Sequence, residues 1–305
     1  MTGLILHHYD ASPFTQKALR MFGLKQLAWR SVETPMIMPK PDLTRLTGGY
    51  RGTPVLQSGA DVYIDTQLIA RELERRHPRP TLFPADNRGL DYALVKWGDD
   101  FFQAGLEMAI NLVGPSWDTA FAADREALFD HLSFARISED ASHAITQLRA
   151  HCALLEDQLA DGRAFLSGDE PGLVDIQAFS VPWFARAAMP VTEKLLARFV
   201  SLPPWEARVA ALGEGVRTDI TAAAALAEAR LGQPDLSLNI DADDPLGLQP
   251  LAKVAVEPAD FSRRGVVEGE LLRLTPLTIA VLRRDSELGD IVVHFPRLGY
   301  RVSPL

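Results

Sequence analysis

Three short segments contain residue types that can bind the charged groups of a small ligand. Ser12-Pro13-Phe14 and Asp65-Thr66 each follow an apolar stretch, and Thr53-Pro54-Val55 opens another one. A serine before a proline is typical of a helix N-terminus, where backbone N–H groups and the positive end of the helix dipole favour an anion. Ser12 could therefore stabilise a negative charge, or it could serve only as a helix N-cap.

The other two segments allow similar alternatives. Proline cannot donate to a strand ladder, so Pro54 marks the first residue of a strand. Its peptide bond is either cis, leaving backbone groups for a ligand, or trans at the start of an ordinary hairpin that turns at Gly59. Asp65 could accept a hydrogen bond from a cationic ligand group, or cap the helix that follows it.

The elements that position these segments are predicted in the order β-α-β-α-β-β-α. Ser12 precedes a helix that we expect to end at Gly23, because serine, proline and glycine are the usual punctuation of helix ends. The other elements are a strand at residues 4–9, a strand at 28–33, a short helix at 42–46, and a hairpin and helix from residue 54 onwards.

Length and composition limit the class of protein. A chain of 305 residues with 47% hydrophobic residues is long enough for two or three domains with buried cores. Its one cysteine, Cys152, excludes an internal disulfide and any paired-cysteine site, which favours the cytoplasm. A net charge of −9 argues against a nucleic-acid binder, and no apolar run reaches the length of a membrane span.

The charge is unevenly distributed along the chain. Residues 1–83 contain 11 Lys/Arg and 7 Asp/Glu, whereas residues 84–239 contain 12 and 23. A basic first region suits a small anionic ligand, although chance scatter of surface charges explains it equally well.

Residues 86–232 are predicted to be all-α. Apolar residues recur at helical spacing in a first long helix that we expect to end near Gly114-Pro115. A second helical region spans residues 115–145, and another helix contains Cys152, which we interpret as an inert core residue. Phe101 or Phe102 could contact a substrate, although aromatic residues at helical spacing are more often core residues.

Residues 240–305 have a different pattern, with alternating apolar residues between turns. This pattern predicts four or five short strands in a small β-barrel, similar to an SH3 barrel. The region could bind a partner or form a lid, or it could be a packed appendage. Because a linker precedes it, a chain ending near Arg230 is expected to stay folded.

Taken together, these segments resemble the glutathione transferase superfamily. The resemblance rests on the three segments above and on Gly172–Ile176, which is similar to the helix-capping segment of that superfamily's second domain. It implies a thioredoxin-like domain at 1–83 and an all-α domain at 86–232. The β-domain that the pattern predicts at 240–305 is an addition to the usual two-domain transferase. The sequence departs from the common pattern at Asp65-Thr66, where Glu-Ser is usual, and at Gly172, where serine or threonine is usual. A Gly-Gly-Tyr-Arg segment, residues 48–51, is similar to large bacterial and fungal members.

The resemblance also implies a role for each candidate residue. Ser12 would stabilise the thiolate of glutathione, the backbone of Val55 would pair with the cysteinyl unit, and Asp65 and Thr66 would hold the γ-glutamyl end. Lys40 and Arg51 are candidates for the glycyl carboxylate, unless they are merely solvated. The full set of predicted glutathione-binding residues is Phe14, Lys40, Arg51, Thr53, Pro54, Val55, Asp65 and Thr66.

Two alternatives to Ser12 are less suited to the chemistry. Tyr9 should face away from the site, because neighbouring strand residues point to opposite faces. For the same reason His7 and His8 make a poor metal pair, and we expect no metal.

The leading hypothesis is an enzyme that adds glutathione to a small hydrophobic electrophile, or removes it from one. A second hypothesis is a non-catalytic binding or regulatory protein that uses the β-domain for partner contact. Thiol-disulfide chemistry is disfavoured because no cysteine lies near Ser12. The resemblance also implies a homodimer, and the opposite charges of the first two regions are complementary.

Overall fold

The structure is a computed structural model that describes residues 3–113, 118–129, 132–134, 141–260 and 262–305. Gly114-Pro115, the predicted end of the first long helix, and parts of the 115–145 region lie outside these residues.

The first region has the predicted order of elements. Its elements are β1 (Ile5–His8), α1 (Pro13–Leu24), β2 (Ala28–Glu33), α2 (Pro41–Thr47), β3 (Val55–Ser58), β4 (Asp61–Ile64) and α3 (Thr66–Arg76). Helix α1 begins after Ser12 as predicted, but Gly23 lies within its last turn and Lys25 is the C-cap. Gly23 has no room for a side chain, because an added Cβ would lie 2.3 Å from the Leu212 carbonyl oxygen.

The second region is helical, as predicted. It contains α4 (Arg88–Val113), α5 (Thr119–Leu128), α6 (Ala141–Leu159), α7 (Leu173–Ala188), α8 (Thr192–Leu196) and α9 (Leu202–Ala210). One apolar core joins most of these helices and includes Phe101, Leu148, Cys152 and Trp205. Burial raises the pKa of the Cys152 thiol to about 12, so it is an inert core residue. None of the helices in the described ranges is long and apolar enough to cross a membrane.

The start of α7 explains the glycine at position 172. The Gly172 N–H donates to Asp175 Oδ2 at 3.0 Å, which is the half of a capping box that needs no N-cap side chain. Asp175 Oδ1 accepts from the Leu166 N–H and from Trp205 Nε1, both at 2.8 Å. A Cβ at position 172 would lie 3.0 Å from Pro84 Cδ. Close packing against the segment that joins the two regions therefore favours glycine there.

The last region is rich in strands, as predicted. It contains β6 (Asn239–Ile240), β7 (Lys253–Pro258), β8 (Val267–Leu274), β9 (Thr278–Asp285), β10 (Gly289–Pro296) and β11 (Tyr300–Pro304). Before it, within residues 86–232 that were predicted to be all-α, lie β5 (Val216–Asp219) and α10 (Ala222–Leu231). The pattern of the sequence did not indicate β5. This short and mostly exposed strand pairs in parallel with β2, so its position depends on a tertiary contact.

The strands of the first and last regions form one sheet together with β5. Its order is β11-β7-β8-β9-β10-β4-β3-β1-β2-β5, with β6 paired to β8. The two regions meet where β10 pairs in parallel with β4, with Val293 opposite Val62 and His294 opposite Tyr63. A buried hydrogen bond of 2.8 Å between His294 Nε2 and Asp61 Oδ1 strengthens the junction, and the His294 ring stacks on Tyr63.

The two regions also share a hydrophobic core. One cluster contains Leu43, Val55 and Val62 from the first region together with Val281 and Val293 from the last. Residues 240–305 therefore cover one face of the first region's sheet and do not pack as a separate appendage. This differs from the expectation that a chain ending near Arg230 stays folded, which rested on the linker and the change of pattern alone.

A chain that ends after Arg230 should lose its native packing. Val55, Val62 and Ile64, which are fully buried in the whole chain, would lose the apolar partners that cover them. We expect the shortened chain to bind a hydrophobic dye and to lack the near-ultraviolet circular dichroism and the cooperative melting of the full chain. A soluble product with the same melting temperature as the full chain would show that the last region is independent.

Candidate active site

The pairing of β1, β3 and β4 brings the three predicted segments to the same end of these strands. Val55, the first residue of β3, lies opposite His7 near the end of β1 and opposite Ile64 at the end of β4. Three segments therefore lie together at this end of the strands: the loop from β1 to Ser12, the Thr53-Pro54 segment and Asp65. The sequence predicted each segment, and the strand register places them together.

Ser12 is buried at the N-terminus of α1. Its Oγ accepts a hydrogen bond from the Thr15 N–H at 3.3 Å, and its own N–H donates to the Tyr9 carbonyl at 3.2 Å. Ser12 is thus a helix N-cap. In the hydrogen-bond network of the described residues its Oγ acts only as an acceptor, so its hydrogen is available for donation to a ligand. Capping and anion binding are compatible at this residue.

The Thr53–Pro54 peptide bond is cis, which is one of the two alternatives left open by the sequence. Pro54 and Val55 are buried, and Thr53 is half-buried beside them. Val55 is paired in register with strands on both sides. Its backbone is therefore not free to pair with a ligand, contrary to the role that the resemblance implied for it.

Asp65 is the N-cap of α3. Its Oδ1 accepts from the Gln67 N–H at 2.9 Å, and Thr66, the first helical residue, is buried. Asp65 has a φ of 77°, a conformation that costs energy for a residue other than glycine and is frequent at functional sites. Its Oδ2 accepts from the Tyr300 hydroxyl of β11 at 3.4 Å. The last region therefore reaches the candidate site.

Lys17 is a buried cation that the sequence analysis did not single out. Only 2% of its surface is exposed, and its Nζ lies 4.7 Å from the centre of the Phe14 ring. Desolvation lowers the pKa of Lys17 to about 8, against the opposing influence of Asp99 and Asp65. Its spacing could have revealed it, because Lys17 falls between Phe14 and Met21 on the buried face of α1.

Lys40 and Arg51 lie together, as expected if both serve one ligand group. The Lys40 Nζ donates to the Arg51 carbonyl at 3.3 Å, and the Arg51 guanidinium forms an ion pair with Asp124 of α5. Arg125 bonds the same carboxylate at 2.8 Å. Desolvation and the charges of Arg125 and Arg51 lower the pKa of Lys40 to about 8. Three cations thus surround one carboxylate. The sequence did not indicate Asp124 or Arg125, because they come from the helical region.

Tyr9 contacts this basic cluster, although the sequence placed it on the opposite face. The Lys40 Nζ lies 5.4 Å from the centre of the Tyr9 ring, and the Tyr9 hydroxyl accepts from Arg125 at 3.4 Å. Tyr9 follows the last residue of β1, so the alternation of side chains along the strand does not extend to it.

His7 and His8 have separate partners. His7 Nε2 lies 2.7 Å from Gln57 Oε1, and His8 Nε2 lies 3.0 Å from Ser31 Oγ. Burial lowers the pKa of both rings to about 4, so they are neutral near pH 7. Within the described ranges no group of three or more His, Cys, Asp or Glu residues is arranged to hold a metal ion.

An aromatic cluster lies beside the Ser12 segment. Phe14 packs edge-to-face on Phe102 with ring centres 4.8 Å apart, and Phe102 lies 6.0 Å from Phe184 of α7. All three side chains are half-buried, whereas Phe101 is fully buried in the helical core. Of the two phenylalanines considered from the sequence, Phe102 is therefore the one next to the site.

Comparisons with known proteins agree with this architecture. Residues 6–81 match the family model of the glutathione S-transferase N-terminal domain, and residues 118–214 match that of the C-terminal domain. The comparison with curated proteins gave no match.

Solved structures extend the likeness to the whole chain. A GST-like protein from Pseudomonas syringae is 36% identical, with a TM-score of 0.79 and coverage of 100% of both chains. The strand-rich last region therefore has a counterpart there. A glutathione S-transferase of Ceriporiopsis subvermispora in complex with glutathione covers 69% of this chain and 96% of its own, with 17% identity and a TM-score of 0.53. The β-etherase LigF from Sphingobium sp. strain SYK-6 has the same coverage of both chains and the same identity, with a TM-score of 0.52. These two distant likenesses show the fold alone.

Two matched domain models and a relative that is 36% identical over the full length show that this chain belongs to the glutathione S-transferase family.

Proposed function

We propose that this protein is a glutathione transferase that binds glutathione at the candidate active site and stabilises its thiolate with Ser12. The observation that supports this most directly is the position of the Ser12 hydroxyl. The capping hydrogen bond from Thr15 fixes Oγ at the N-terminus of α1 and leaves the hydroxyl hydrogen for another acceptor. A sulfur anion there would receive that hydrogen bond and the favourable field of the helix dipole.

The remaining groups suit the other parts of the tripeptide. Asp65 would accept from the γ-glutamyl ammonium, and Thr66 would donate to the adjacent carboxylate at the start of α3. The backbone of Thr53, which precedes the cis Pro54, would pair with the cysteinyl unit, because Val55 already pairs with β1 and β4. Lys40 is better suited than Arg51 to the glycyl carboxylate, because Lys40 bonds a carbonyl oxygen whereas Arg51 is paired with Asp124.

The proposed chemistry is nucleophilic attack by the thiolate. The thiol of free glutathione has a pKa near 8.5, so only a few per cent is ionised at pH 7. Stabilisation by Ser12 would increase that fraction. The sulfur would then form a bond with the electrophilic carbon, and the leaving group would depart with the bonding electrons. Phe14, Phe102 and Phe184 offer an apolar surface next to Ser12, which supports a small hydrophobic electrophile. Removal of glutathione from a conjugate would use the same residues, with an incoming nucleophile bonding to the carbon and displacing the glutathione thiolate that Ser12 stabilises.

The domain boundaries at 83, 86, 232 and 240 remain part of this proposal, as do a cytoplasmic location and a homodimer. Part of the charge complementarity that suggested a dimer is used within the chain. Arg51 pairs with Asp124, and Arg30 of β2 pairs with Glu228 of α10. Conjugation of a chloronitroaromatic compound with glutathione would distinguish an enzyme from a non-catalytic protein that uses its last region for partner contact.

Replacing Ser12 with alanine should raise the pKa of the bound glutathione thiol by about one unit or more, which corresponds to about 1.4 kcal/mol per unit. The affinity for glutathione should change by only a few fold. The measurement is the ultraviolet absorbance of the bound thiolate as a function of pH. Ser12→Cys extends the test, because a cysteine at a helix N-terminus has a low pKa and should form a mixed disulfide with oxidised glutathione.

A matched control separates catalysis from capping. Thr221 caps α10 by accepting from the Ala224 N–H at 3.2 Å, away from the site. Thr221→Ala and Ser12→Ala should each lose roughly 1 kcal/mol of stability, but only Ser12→Ala should change the thiol pKa. If the thiol titrates in Ser12→Ala as it does in the parent, Ser12 is only a cap.

Replacing Lys17 with methionine should stabilise the free protein near pH 7. The pKa of Lys17 falls from 10.5 to about 8 on folding, so its charged form is disfavoured in the folded state by up to roughly 3 kcal/mol. Between pH 8 and 10.5 the unfolded chain binds this proton and the folded chain does not, so the stability of the parent should rise with pH. Urea unfolding at several pH values should show a smaller rise in Lys17→Met than in the parent and in the exposed control Lys253→Met, because Lys40 still contributes a similar rise in all three. Equal pH dependence in all three would contradict the assigned burial of charge.

The protein should form a dimer with twice the chain mass of 33.5 kDa at micromolar concentration. Light scattering coupled to size exclusion measures this directly. The monomer mass throughout the micromolar range would contradict the dimer proposal.

A further inference from the structure

The loop between β7 and β8 is fixed against the candidate site. Among its described residues, Arg264 accepts from the Arg51 N–H through its carbonyl at 2.7 Å, and the Arg263 N–H donates to the Leu128 carbonyl at 2.6 Å. Gly265 has a φ of 105°, and a Cβ there would lie 2.3 Å from the Gly49 carbonyl oxygen. Only glycine allows this close approach. The loop is therefore held by the first region on one side and by the end of α5 on the other.

This anchoring places the Arg264 side chain in the same polar cluster as Asp65. The guanidinium hydrogen-bonds the Tyr50 side chain and is close enough to Tyr300 and Asp65 to interact electrostatically with both. The Tyr300 hydroxyl lies 3.4 Å from both Asp65 Oδ2 and the Tyr50 hydroxyl. Arg264 is thus a cation from the last region beside the carboxylate that we assign to the γ-glutamyl ammonium.

Arg264 retains hydrogen-bonding capacity for a ligand. Its ion pair with Asp260 has an N–O distance of 3.7 Å, which is too long for a hydrogen bond. Arg51, by contrast, forms a short hydrogen bond with Asp124. A guanidinium has five N–H donors in a planar fork that matches a carboxylate. Arg264 is therefore able to bind a second anionic group.

We propose that Arg264 binds the α-carboxylate of the γ-glutamyl group of glutathione. This inference rests on the proposed function, which assigns the ammonium of that group to Asp65. The ammonium and the α-carboxylate are attached to the same carbon atom, so a ligand held by Asp65 presents its carboxylate to the surrounding cluster. Arg264 supplies a charge-assisted partner there, in addition to Thr66. The last region then completes the glutathione site.

The test compares two ligands and four variants by calorimetry, one of which is Lys17→Met. The ligands are glutathione and γ-aminobutyryl-cysteinyl-glycine, which lacks only the α-carboxylate. Arg264→Gln removes the charge, and Arg264→Lys keeps it without the planar fork. Arg301→Gln is the matched control, because Arg301 is exposed and is the neighbour of Tyr300 on β11. Thermal melting identifies any variant that does not fold. If Arg264→Gln does not fold, Arg264→Lys is compared with the parent instead.

Arg264→Gln should weaken glutathione binding by about 10- to 100-fold and leave binding of the analogue unchanged. Arg264→Lys should weaken glutathione binding less, and Arg301→Gln should change neither ligand. Equal weakening of both ligands by Arg264→Gln, or no weakening, would overturn the inference. If Lys17→Met is the one variant that binds glutathione and the analogue equally well, Lys17 binds the α-carboxylate. That result would also overturn the inference. If the parent binds the analogue as well as it binds glutathione, the inference fails and the proposed function stands. If the parent binds neither, the proposed function fails with it.

Discussion

The pairing of β3 with both β1 and β4 is the constraint on which the candidate site depends. Val55 lies opposite His7 and Ile64, so the segments that contain Ser12, Pro54 and Asp65 lie together at one end of these three strands. A shift of one residue in either pairing would turn buried side chains to the opposite face and separate these groups. The hydrophobic packing of Leu56 on one face and Val55 on the other maintains this register.

The last region extends the same constraint. The pairing of β10 with β4, the Asp61–His294 hydrogen bond and the shared core connect it rigidly to the first region. This connection allows the β7–β8 loop to approach Asp65. It also covers the edge of β4, so that edge is not available for strand pairing with another molecule. Any dimer must therefore use other surfaces.

Much of the site could be predicted because helix caps and strand starts have local signals. Ser12-Pro13 and Asp65-Thr66 lie where those signals placed them. Lys40 and Arg51, two separate candidates for one ligand group, lie in contact. The rest depends on contacts between distant parts of the chain. Asp124, Arg125 and Arg264 come from other regions, and no local pattern indicates where they contact the site. Tyr9 was misplaced because strand alternation was extended one residue past the end of β1.

The most direct test of the account is the number of protons released when glutathione binds. Calorimetric titrations at pH 7 in two buffers of different ionisation enthalpy give this number. Because free glutathione is mostly a thiol at this pH, binding as a thiolate should release close to one proton. S-methylglutathione, which has no thiol proton, corrects for any proton exchanged by Lys17 and Lys40 and should show no such release. The same proton release for both ligands, or no binding of glutathione, would contradict the account.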